Sequence, residues 1–389
     1  MPSPAPQFRL RRTPAGLARP QRAVERPLLL GGEVFRRAAF GRNHPLSIVR
    51  HSAVLDLLAI LGWLDDDAFR DCPVATGTEL TAFHDSAYVA ALERVEATGR
   101  VDAETRRRFG IGTLENPVFP GLYERAAATV GGSILAAKLA SRGGVVFHPS
   151  GGTHHGRPGK ASGFCYFNDP VFAIRTFLEL GRARVVYVDL DAHHGDGVQD
   201  AFARESRVMT VSVHERDRWP YSGAVDDRGG GGARNLPVPA GFNDSELDYL
   251  LRQAIVPLAE SFQPAAMVLC CGADCLAGDP LSGMRLSNVA LWGAIERLLE
   301  FAVPTVILGG GGYNPWTLTR YWTGIWGRLA KRQFPERLPA EAVALLSTLE
   351  CELIDADEVE PEWLTTLADT AYPGPVRAEI RSLARAVRH

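Results

Sequence analysis

The feature that most constrains the fold of this chain is a series of short apolar runs that alternate with longer amphipathic stretches. The runs are rich in β-branched residues and end near Gly, His or Asp; they span residues 143–148, 184–189, 208–214, 266–271 and 303–308. The stretches carry apolar residues at helical spacing and span 122–140, 171–180, 245–259 and 288–301. This alternation predicts an α/β fold with a mainly parallel central sheet flanked by helices.

Composition narrows the class of protein. With 46% hydrophobic residues among 389, the chain can bury a large core in one domain or two. The formal net charge is −3, so a nucleic-acid partner is not expected. The sequence contains no apolar run long enough to span a membrane and no signal-peptide segment at its start. We therefore expect no membrane association and a cytoplasmic location.

The two ends of the chain differ in character. Residues 1–26 are rich in Arg and Pro and carry no acid before residue 25, which is typical of a disordered extension. A transit peptide is the alternative, since it is also rich in Arg and poor in acids. Residues 27–389 contain no low-complexity linker, so we expect them to form one domain that includes a C-terminal helical segment.

The six cysteines include no C-x-x-C pair, which indicates reduced and mostly buried thiols in a chain of this length. Cys270, Cys271 and Cys275 do cluster, so a thiolate metal site is an alternative. That cluster lacks the paired spacing and nearby histidines of a structural zinc site. We expect no such site.

Polar residues follow several of the predicted strands, where α/β sheets bind ligands. Residues 188–196 read VDLDAHHGD, which places Asp189, Asp191 and His193 on one side of an extended chain. Two carboxylates and an imidazole at a buried strand end require a cation, and they suit Zn²⁺, Fe²⁺ or Mn²⁺. Asp274 is the expected third ligand, with a helix N-cap as its alternative role. Three ligands leave an open coordination position, as in catalytic zinc sites.

Two further segments supply groups suited to catalysis. His154 and His155 follow a glycine-containing turn, where one could act as a base and the other could stabilise charge or protonate a leaving amine. Asp189 and Asp196 could hold their far nitrogens. Residues 309–312 are four glycines before Tyr313. They lack the G-x-G-x-x-G frame and the Walker lysine of nucleotide sites, so we interpret them as presenting the Tyr313 phenol to an oxyanion.

Taken together, these segments resemble the zinc-dependent histone deacetylase superfamily. The resemblance rests on five motifs in the family's order, over about residues 27 to 335, and among bacterial branches it is closest to the acetoin-utilisation type. The motifs are 151–155 (GGTHH), 163–169 (GFCYFND), 189–196, 272–274 with 278–281 (GAD and GDPL), and 309–313 (GGGGY).

The resemblance implies a single-domain, three-layer arginase/deacetylase fold and a role for each polar group. Asp191, His193 and Asp274 would bind Zn²⁺. His155 would be the general base and acid, with electrostatic help from His154, and Tyr313 would polarise the acetyl carbonyl. A structural K⁺ ion would also be held, by backbone oxygens of Asp189, Asp191, His193 and Val213 and by the side chains of Asp189 and Ser212.

The resemblance also implies a tunnel for an acyl-lysine side chain. Phe164 matches one wall and Gly163 a backbone acceptor. The second wall is Tyr221 by gap-free counting, with Trp219 as the alternative. Leu281 stands where polyamine-selective relatives carry an acid, and Glu115 is the nearest candidate for the family's rim aspartate.

The expected function is therefore zinc-dependent hydrolysis of the amide of acetyl-lysine or of a related acylated amine. Three alternatives stay open: an acetylpolyamine amidohydrolase, an arginase-type ureohydrolase with two Mn²⁺ ions, and an inactive binder of acylated lysine. The ureohydrolase would need a further D-x-D pair near Asp274, where the chain has Cys275 and Leu276. The sequence leaves the oligomeric state open.

Overall fold

The computed structural model describes residues 26–37, 40–41 and 44–388. The disordered extension predicted for residues 1–26 falls, apart from Arg26, outside the described residues. Among the described residues, no helix combines the length and apolarity that crossing a membrane requires.

Within the described residues, eight strands form one sheet, and every pairing in it is parallel. They are β1 (Leu28–Gly31), β2 (Phe69–Asp71), β3 (Val145–His148), β4 (Val185–Asp189), β5 (Val208–Glu215), β6 (Ala233–Val238), β7 (Ala266–Cys270) and β8 (Thr305–Leu308). Their spatial order is β2-β1-β3-β8-β7-β4-β5-β6. The predicted parallel sheet is confirmed, and the five predicted runs are β3, β4, β5, β7 and β8.

In the part of the chain that the structure describes, fourteen α-helices surround the sheet. They are α1 (His51–Ile60), α2 (Gly77–Leu80), α3 (Ser86–Thr98), α4 (Ala103–Phe109), α5 (Leu122–Ala140), α6 (Asp169–Glu179), α7 (Asp196–Ala201), α8 (Asp244–Leu250), α9 (Val256–Phe262), α10 (Asn288–Leu299), α11 (Pro315–Leu329), α12 (Ala340–Ser347), α13 (Pro361–Thr365) and α14 (Ala378–Ala386). A π-helical turn, Leu251–Ile255, joins α8 to α9. The predicted stretch 245–259 is therefore one continuous helical segment.

Strand β4 shows why the fold has three layers. Val185 and Tyr187 pack in a core cluster with residues of α5 and α6, whereas Val186 and Val188 pack in a second cluster with residues of α1, α10 and α11. Since successive side chains of a strand point to opposite faces, helices cover both faces of the sheet. This arrangement is the predicted three-layer α/β architecture.

The C-terminal segment is part of the same core. Ile380 and Ala384 of α14 lie in the cluster that contains α1, α10 and α11. The fully buried guanidinium of Arg320 in α11 contacts the Asp369 carboxylate at 2.6 Å. Helix α14 and Asp369, which both follow α11 in the chain, therefore contact the core around the sheet.

The register of the sheet brings four strand ends together. His148 of β3 pairs with Leu308 of β8, Leu308 with Cys270 of β7, and Cys270 with Asp189 of β4. Because all these strands are parallel, the loops that follow them leave the sheet at one edge. Those loops carry the candidate metal ligands, the histidine pair and Tyr313.

Candidate active site

The three predicted metal ligands meet in the loops after β4 and β7. Nδ1 of His193 lies 2.8 Å from Oδ2 of Asp274 and 3.3 Å from Oδ1 of Asp191. One ligand atom from each residue lies within 4.8 Å of the other two, and all three residues are buried. Asp274 accepts a hydrogen bond from the Ala192 backbone at 2.9 Å. No helix begins directly after Asp274 in the described residues, where the next helix is α10 at Asn288, so the N-cap alternative is not what the structure shows.

The electrostatics of this group favour a bound cation. Burial and the nearby charge of Asp191 raise the pKa of Asp274 to about 6, because two buried carboxylates repel. A divalent ion would remove that repulsion, and two carboxylates with one imidazole are a donor set that zinc accepts. The residues present therefore fit the metal that the sequence implied.

Glycine is required where the last strand's loop passes this group. The Gly311 amide donates to Oδ2 of Asp191 at 2.6 Å, and a Cβ at Gly311 would lie 2.2 Å from Oδ2 of Asp274. Gly310 also has a φ of 142°, which strongly favours glycine. The glycine run thus allows the backbone to approach the carboxylates.

His154 and His155 each bind a carboxylate but differ in charge. Nδ1 of His154 lies 2.8 Å from Oδ2 of Asp189, and Nδ1 of His155 lies 2.8 Å from Oδ1 of Asp196. Burial lowers the pKa of His154, but the charge of Asp189 and its neighbours outweighs this and raises the pKa to about 9. Burial and the adjacent His154 lower the pKa of His155 to about 3. At neutral pH one imidazole is therefore cationic and its neighbour is neutral.

The start of α6 fixes the turn that carries these histidines. Asp169 accepts from the backbone amides of Gly152 at 3.0 Å and Thr153 at 2.7 Å. Nδ2 of Asn168 donates to the carbonyl of His154 at 3.1 Å. Asn168 and Asp169 both lie in the 163–169 motif. That motif carries part of the family resemblance, but no role was predicted for these two residues.

Tyr313 lies at the beginning of α11, facing the ligand group. Its ring centroid lies 6.4 Å from that of His193 and 5.9 Å from that of Phe164. Burial raises the pKa of Tyr313 well above its ordinary value, so the phenol keeps its proton and can donate it in a hydrogen bond. The Tyr313 amide donates to Oδ2 of Asp279 at 2.7 Å.

Three residues near the site were missed as functional side chains. Asp279 accepts a hydrogen bond from the Tyr313 amide. Its place in the 278–281 motif was the one sign in the sequence that this residue belongs to the site. Arg157 binds the Asp196 carboxylate, and Arg50 donates to the carbonyl of Gly310. Neither arginine stood in a recognisable pattern.

A cavity of about 410 Å³ leads to the site. Its lining includes the predicted Gly163, Phe164, Tyr221 and Leu281, together with Glu115, His155, His193, Trp219 and Tyr313. Trp219 packs edge-on against the His155 ring at 4.6 Å, whereas the Tyr221 side chain is 78% exposed. Of the two candidates for the second wall, Trp219 therefore lies at the depth of the histidines and Tyr221 at the mouth.

Glu115 contacts the turn that presents Phe164. Its Oε1 accepts from the Gly163 amide at 2.5 Å. Ser162 and Cys165 pair across this turn, and Gly163 and Phe164 between them have φ of 55° and 66°. The rim acid suggested by the sequence thus lies at the cavity mouth and holds the turn that carries the first wall.

Among the described residues, no candidate metal-binding group contains more than one of the clustered cysteines. Two groups of possible metal-binding side chains occur among the described residues: Asp191 with His193 and Asp274, and His154 with Asp191 and Cys270. Burial raises the pKa of the Cys271 thiol well above its ordinary value, which keeps it protonated. All six cysteines are unpaired, as predicted.

Comparison with known proteins gives a consistent result. The histone deacetylase domain model matches residues 44–329. Histone deacetylase 3 of Oryza sativa subsp. japonica is 37% identical over 311 residues, which is 77% of this chain and 60% of that protein. Histone deacetylase 8 of Xenopus tropicalis is 35% identical over 298 residues, which is 75% of this chain and 80% of that protein. The chain thus corresponds to less than two thirds of the length of some relatives.

Two solved structures share the fold. A histone deacetylase homologue from Aquifex aeolicus superimposes with a TM-score of 0.89 at 34% identity, over 94% of this chain and 100% of that one. A histone deacetylase homologue in complex with SAHA superimposes with a TM-score of 0.89 at 33% identity, over the same shares of both chains. The domain match, the relatives and the shared fold show that the chain belongs to the histone deacetylase family.

Proposed function

We propose that this chain is a zinc-dependent deacetylase that hydrolyses the amide of acetyl-lysine or of a closely related acylated lysine. The observation that carries the proposal is the floor of the 410 Å³ cavity. There, a three-residue metal-ligand group faces a neutral imidazole, a cationic imidazole and a protonated phenol. Amide hydrolysis by an activated water uses this combination of groups.

Zinc bound by Asp191, His193 and Asp274 would polarise the amide carbonyl and lower the pKa of a water molecule. The chain's other residues would move protons and stabilise charge. His155 is neutral and bound to Asp196 through Nδ1, which leaves Nε2 free to accept a proton from water and then deliver it to the leaving amine. The cationic His154 would stabilise the negative charge that develops nearby.

Tyr313 would donate its phenolic proton in a hydrogen bond to the oxyanion. The cavity walls would position the substrate's side chain, with Phe164 on one side and Trp219 on the other. The Gly163 carbonyl would accept a hydrogen bond from the substrate's amide. Each of these roles is part of the proposal.

The cavity favours acyl-lysine over the alternatives. Leu281 is apolar and lines the cavity, so that position supplies no carboxylate for a polyamine's cations. The inactive-binder alternative requires loss of a ligand, a catalytic histidine or the tyrosine. All of these are present, and His155, His193 and Tyr313 line the cavity. We also propose a structural K⁺ near Asp189 and Ser212, which are paired residues of β4 and β5, and a cytoplasmic location.

The test is a substrate panel assayed with the zinc-loaded chain. Acetyl-lysine peptides, longer acyl-lysine peptides and acetylpolyamines are compared by kcat/KM, with a Tyr313→Phe variant as the control for contaminating activity. We expect the acyl-lysine peptides to be hydrolysed and the acetylpolyamines to be poor substrates. If acetylpolyamines are the preferred substrates, the assignment of lysine is wrong. If neither class of substrate is hydrolysed, the proposal that the chain is an enzyme is wrong.

A further inference from the structure

A second and larger cavity lies next to the one already described. Its volume is about 720 Å³. It runs between the loop after β5, the end of β6 and helix α14, and we call it the α14 groove. Its apolar lining includes Val225, Pro237, Pro239, Ile380, Leu383 and Ala386.

The α14 groove continues from the mouth of the catalytic cavity. Asp217 and Tyr221 line both cavities. Tyr221 is a large aromatic residue with 78% of its surface exposed, and it stands at the border between them. A ligand that fills the catalytic cavity and extends past Tyr221 would therefore enter the α14 groove without crossing open surface.

Both walls of the groove are held in place. On one wall, Oγ of Ser222 lies 2.8 Å from Nδ1 of His194, and the Gly223 carbonyl accepts from Nε2 of His214 at 3.0 Å. On the other wall, Ile380 and Ala384 anchor α14 in the core. A groove of this kind needs little rearrangement to bind a ligand, which favours affinity.

Four charged residues line the groove's edge, one arginine and three acids, and each has a partner within the chain. Arg216 lies 3.3 Å from Glu379 and 3.5 Å from Asp217. Asp227, which also lines the groove, accepts hydrogen bonds from Nε2 of Gln199 at 2.8 Å and from the Gly229 amide at 2.9 Å. The acids at the edge therefore already have partners, and the apolar floor remains the main source of binding free energy. Apolar side chains on a polypeptide fit this surface.

We propose that the α14 groove binds apolar residues that flank the acyl-lysine of a polypeptide substrate. The inference rests on the proposed deacetylase function, because the lysine must occupy the catalytic cavity while its flanking residues occupy the groove. It identifies the substrate class as a polypeptide rather than a free acylated amine.

The experiment measures binding by fluorescence anisotropy in the Tyr313→Phe background, so that the peptides survive. The probes are labelled acetyl-lysine alone and two peptides that extend it by six residues toward either terminus, with leucine at alternate positions. We expect one extended peptide to bind about tenfold more tightly than acetyl-lysine alone, which corresponds to about 1.4 kcal/mol.

Substitutions on α14 locate the effect. Ala386→Trp and Ser382→Trp place a large side chain in the groove at exposed positions, and each should abolish the tenfold gain while binding of acetyl-lysine alone stays the same. Arg385→Trp is the matched control on the same helix, outside the groove lining, and should retain the gain. Two groove variants are used so that a folding defect in one does not decide the result.

Three outcomes would overturn the inference. In the first, neither extended peptide binds more tightly than acetyl-lysine alone. In the second, the groove substitutions and the control substitution have equal effects on peptide affinity. In the third, Ala386→Trp changes the oligomeric mass without any effect on peptide affinity, which would assign the groove to a second copy of the chain. Hydrolysis by the unsubstituted chain is measured separately. Peptide affinity without hydrolysis would reject only the proposed function, and hydrolysis without the affinity gain would reject only the groove.

Discussion

His154 and His155 are neighbours in sequence but occupy different electrostatic environments. Both are buried, and burial alone would make both neutral. His154 faces Asp189 and lies 3.8 Å from Asp191, so two carboxylates stabilise its charged form. Asp196, the partner of His155, is shared with Arg157, which weakens its effect on the imidazole. Asymmetric partners can therefore give two adjacent histidines different roles.

The first prediction at this scale concerns Tyr313. Tyr313→Phe removes the phenolic donor and keeps the ring, so turnover should fall by roughly a hundredfold or more. Zinc content should not change, because the tyrosine is not among the three ligands. Turnover and metal content are measured on the same preparation. Turnover close to that of the unsubstituted chain would disprove the role of the phenol.

The second prediction concerns His84, which lies away from the metal ligands. Its Nδ1 lies 3.0 Å from the Arg157 carbonyl, and its Nε2 accepts from the Asn168 amide at 3.1 Å. Burial lowers its pKa to about 4, so protonation would place a proton where Asn168 donates. Between the ordinary histidine pKa and pH 4, the unfolded chain therefore binds more protons at this residue than the folded chain does. The free energy of unfolding falls as the pH falls through this window.

Denaturant melts at pH 7 and pH 5 check this prediction. Between pH 7 and pH 5, protonation of His84 should lower the free energy of unfolding of the unsubstituted chain by about 2 kcal/mol. The His84→Gln variant should lack this part of the decrease. Gln is a suitable control because it keeps a donor and an acceptor at every pH. The same pH dependence in both proteins would show that His84 does not contribute to it.

Much of the site could be predicted from residue types at strand ends. Asp191, His193 and Asp274 were expected together because carboxylates and imidazoles at a buried sheet edge need a cation, and the structure brings them together. Asp279 entered only as part of the 278–281 motif, because its contact is to a backbone amide that the sequence does not mark. Arg157 was missed because the direction of its side chain decides its partner, and the sequence does not show that direction.

At the scale of elements, five of the six inner strands were predicted, whereas the inner strand β1 and the two edge strands were not. Strands β4 and β7 consist entirely of buried residues, and they appear in the sequence as uninterrupted apolar runs. Strand β2 has three residues, of which two are exposed, and the other edge strand, β6, contains Pro237. Edge strands bury one side at most and tolerate proline, so their composition resembles that of loops.

The turn from Ser162 to Cys165 is the element most directly linked to the cavity. Positive φ at both central positions matches the tight hairpin turns that favour glycine or asparagine, yet Phe164 occupies one of these positions. Such a conformation costs roughly 1–3 kcal/mol and persists when the surroundings hold it. Glu115 supplies one restraint, and the edge contact of Phe164 with His44 at 4.6 Å supplies another.

The third prediction therefore concerns Glu115. Glu115→Ala removes the acceptor for the Gly163 amide, which should cost about 1 kcal/mol and raise KM about fivefold with little change in kcat. Glu115→Gln keeps an acceptor oxygen and should restore most of the loss. Steady-state kinetics on an acetyl-lysine peptide separates the two parameters. An equal fall in kcat for both variants would place Glu115 in the chemical step instead.

At the scale of the whole molecule, the C-terminal segment is joined to α11 by a buried ion pair. The Arg320 side chain is fully buried and its Nη1 contacts Oδ1 of Asp369 at 2.6 Å. Asp369 also accepts from the Asn288 amide at 2.8 Å, at the start of α10. The sequence indicated a C-terminal helical segment within one domain but not this link, because the two charges lie far apart along the chain.

The fourth prediction follows from that pair. Asp369→Ala leaves a buried guanidinium without its carboxylate, which should lower the free energy of unfolding by about 3–5 kcal/mol. Glu350→Ala removes an exposed acid from the same segment and should change it by less than about 0.5 kcal/mol. Denaturant unfolding of both variants checks the difference. Similar values for the two would mean that the pair does not join the segment to the core.

The central claim is a single catalytic zinc held by Asp191, His193 and Asp274. The most direct test strips metal from the chain with a chelator and restores zinc in steps, with bound metal and turnover of an acetyl-lysine peptide measured at each step. We predict that turnover is lost on chelation and returns in proportion to bound zinc, with a plateau at about one ion per chain. Full turnover without metal, or a plateau at two ions per chain, would contradict the claim.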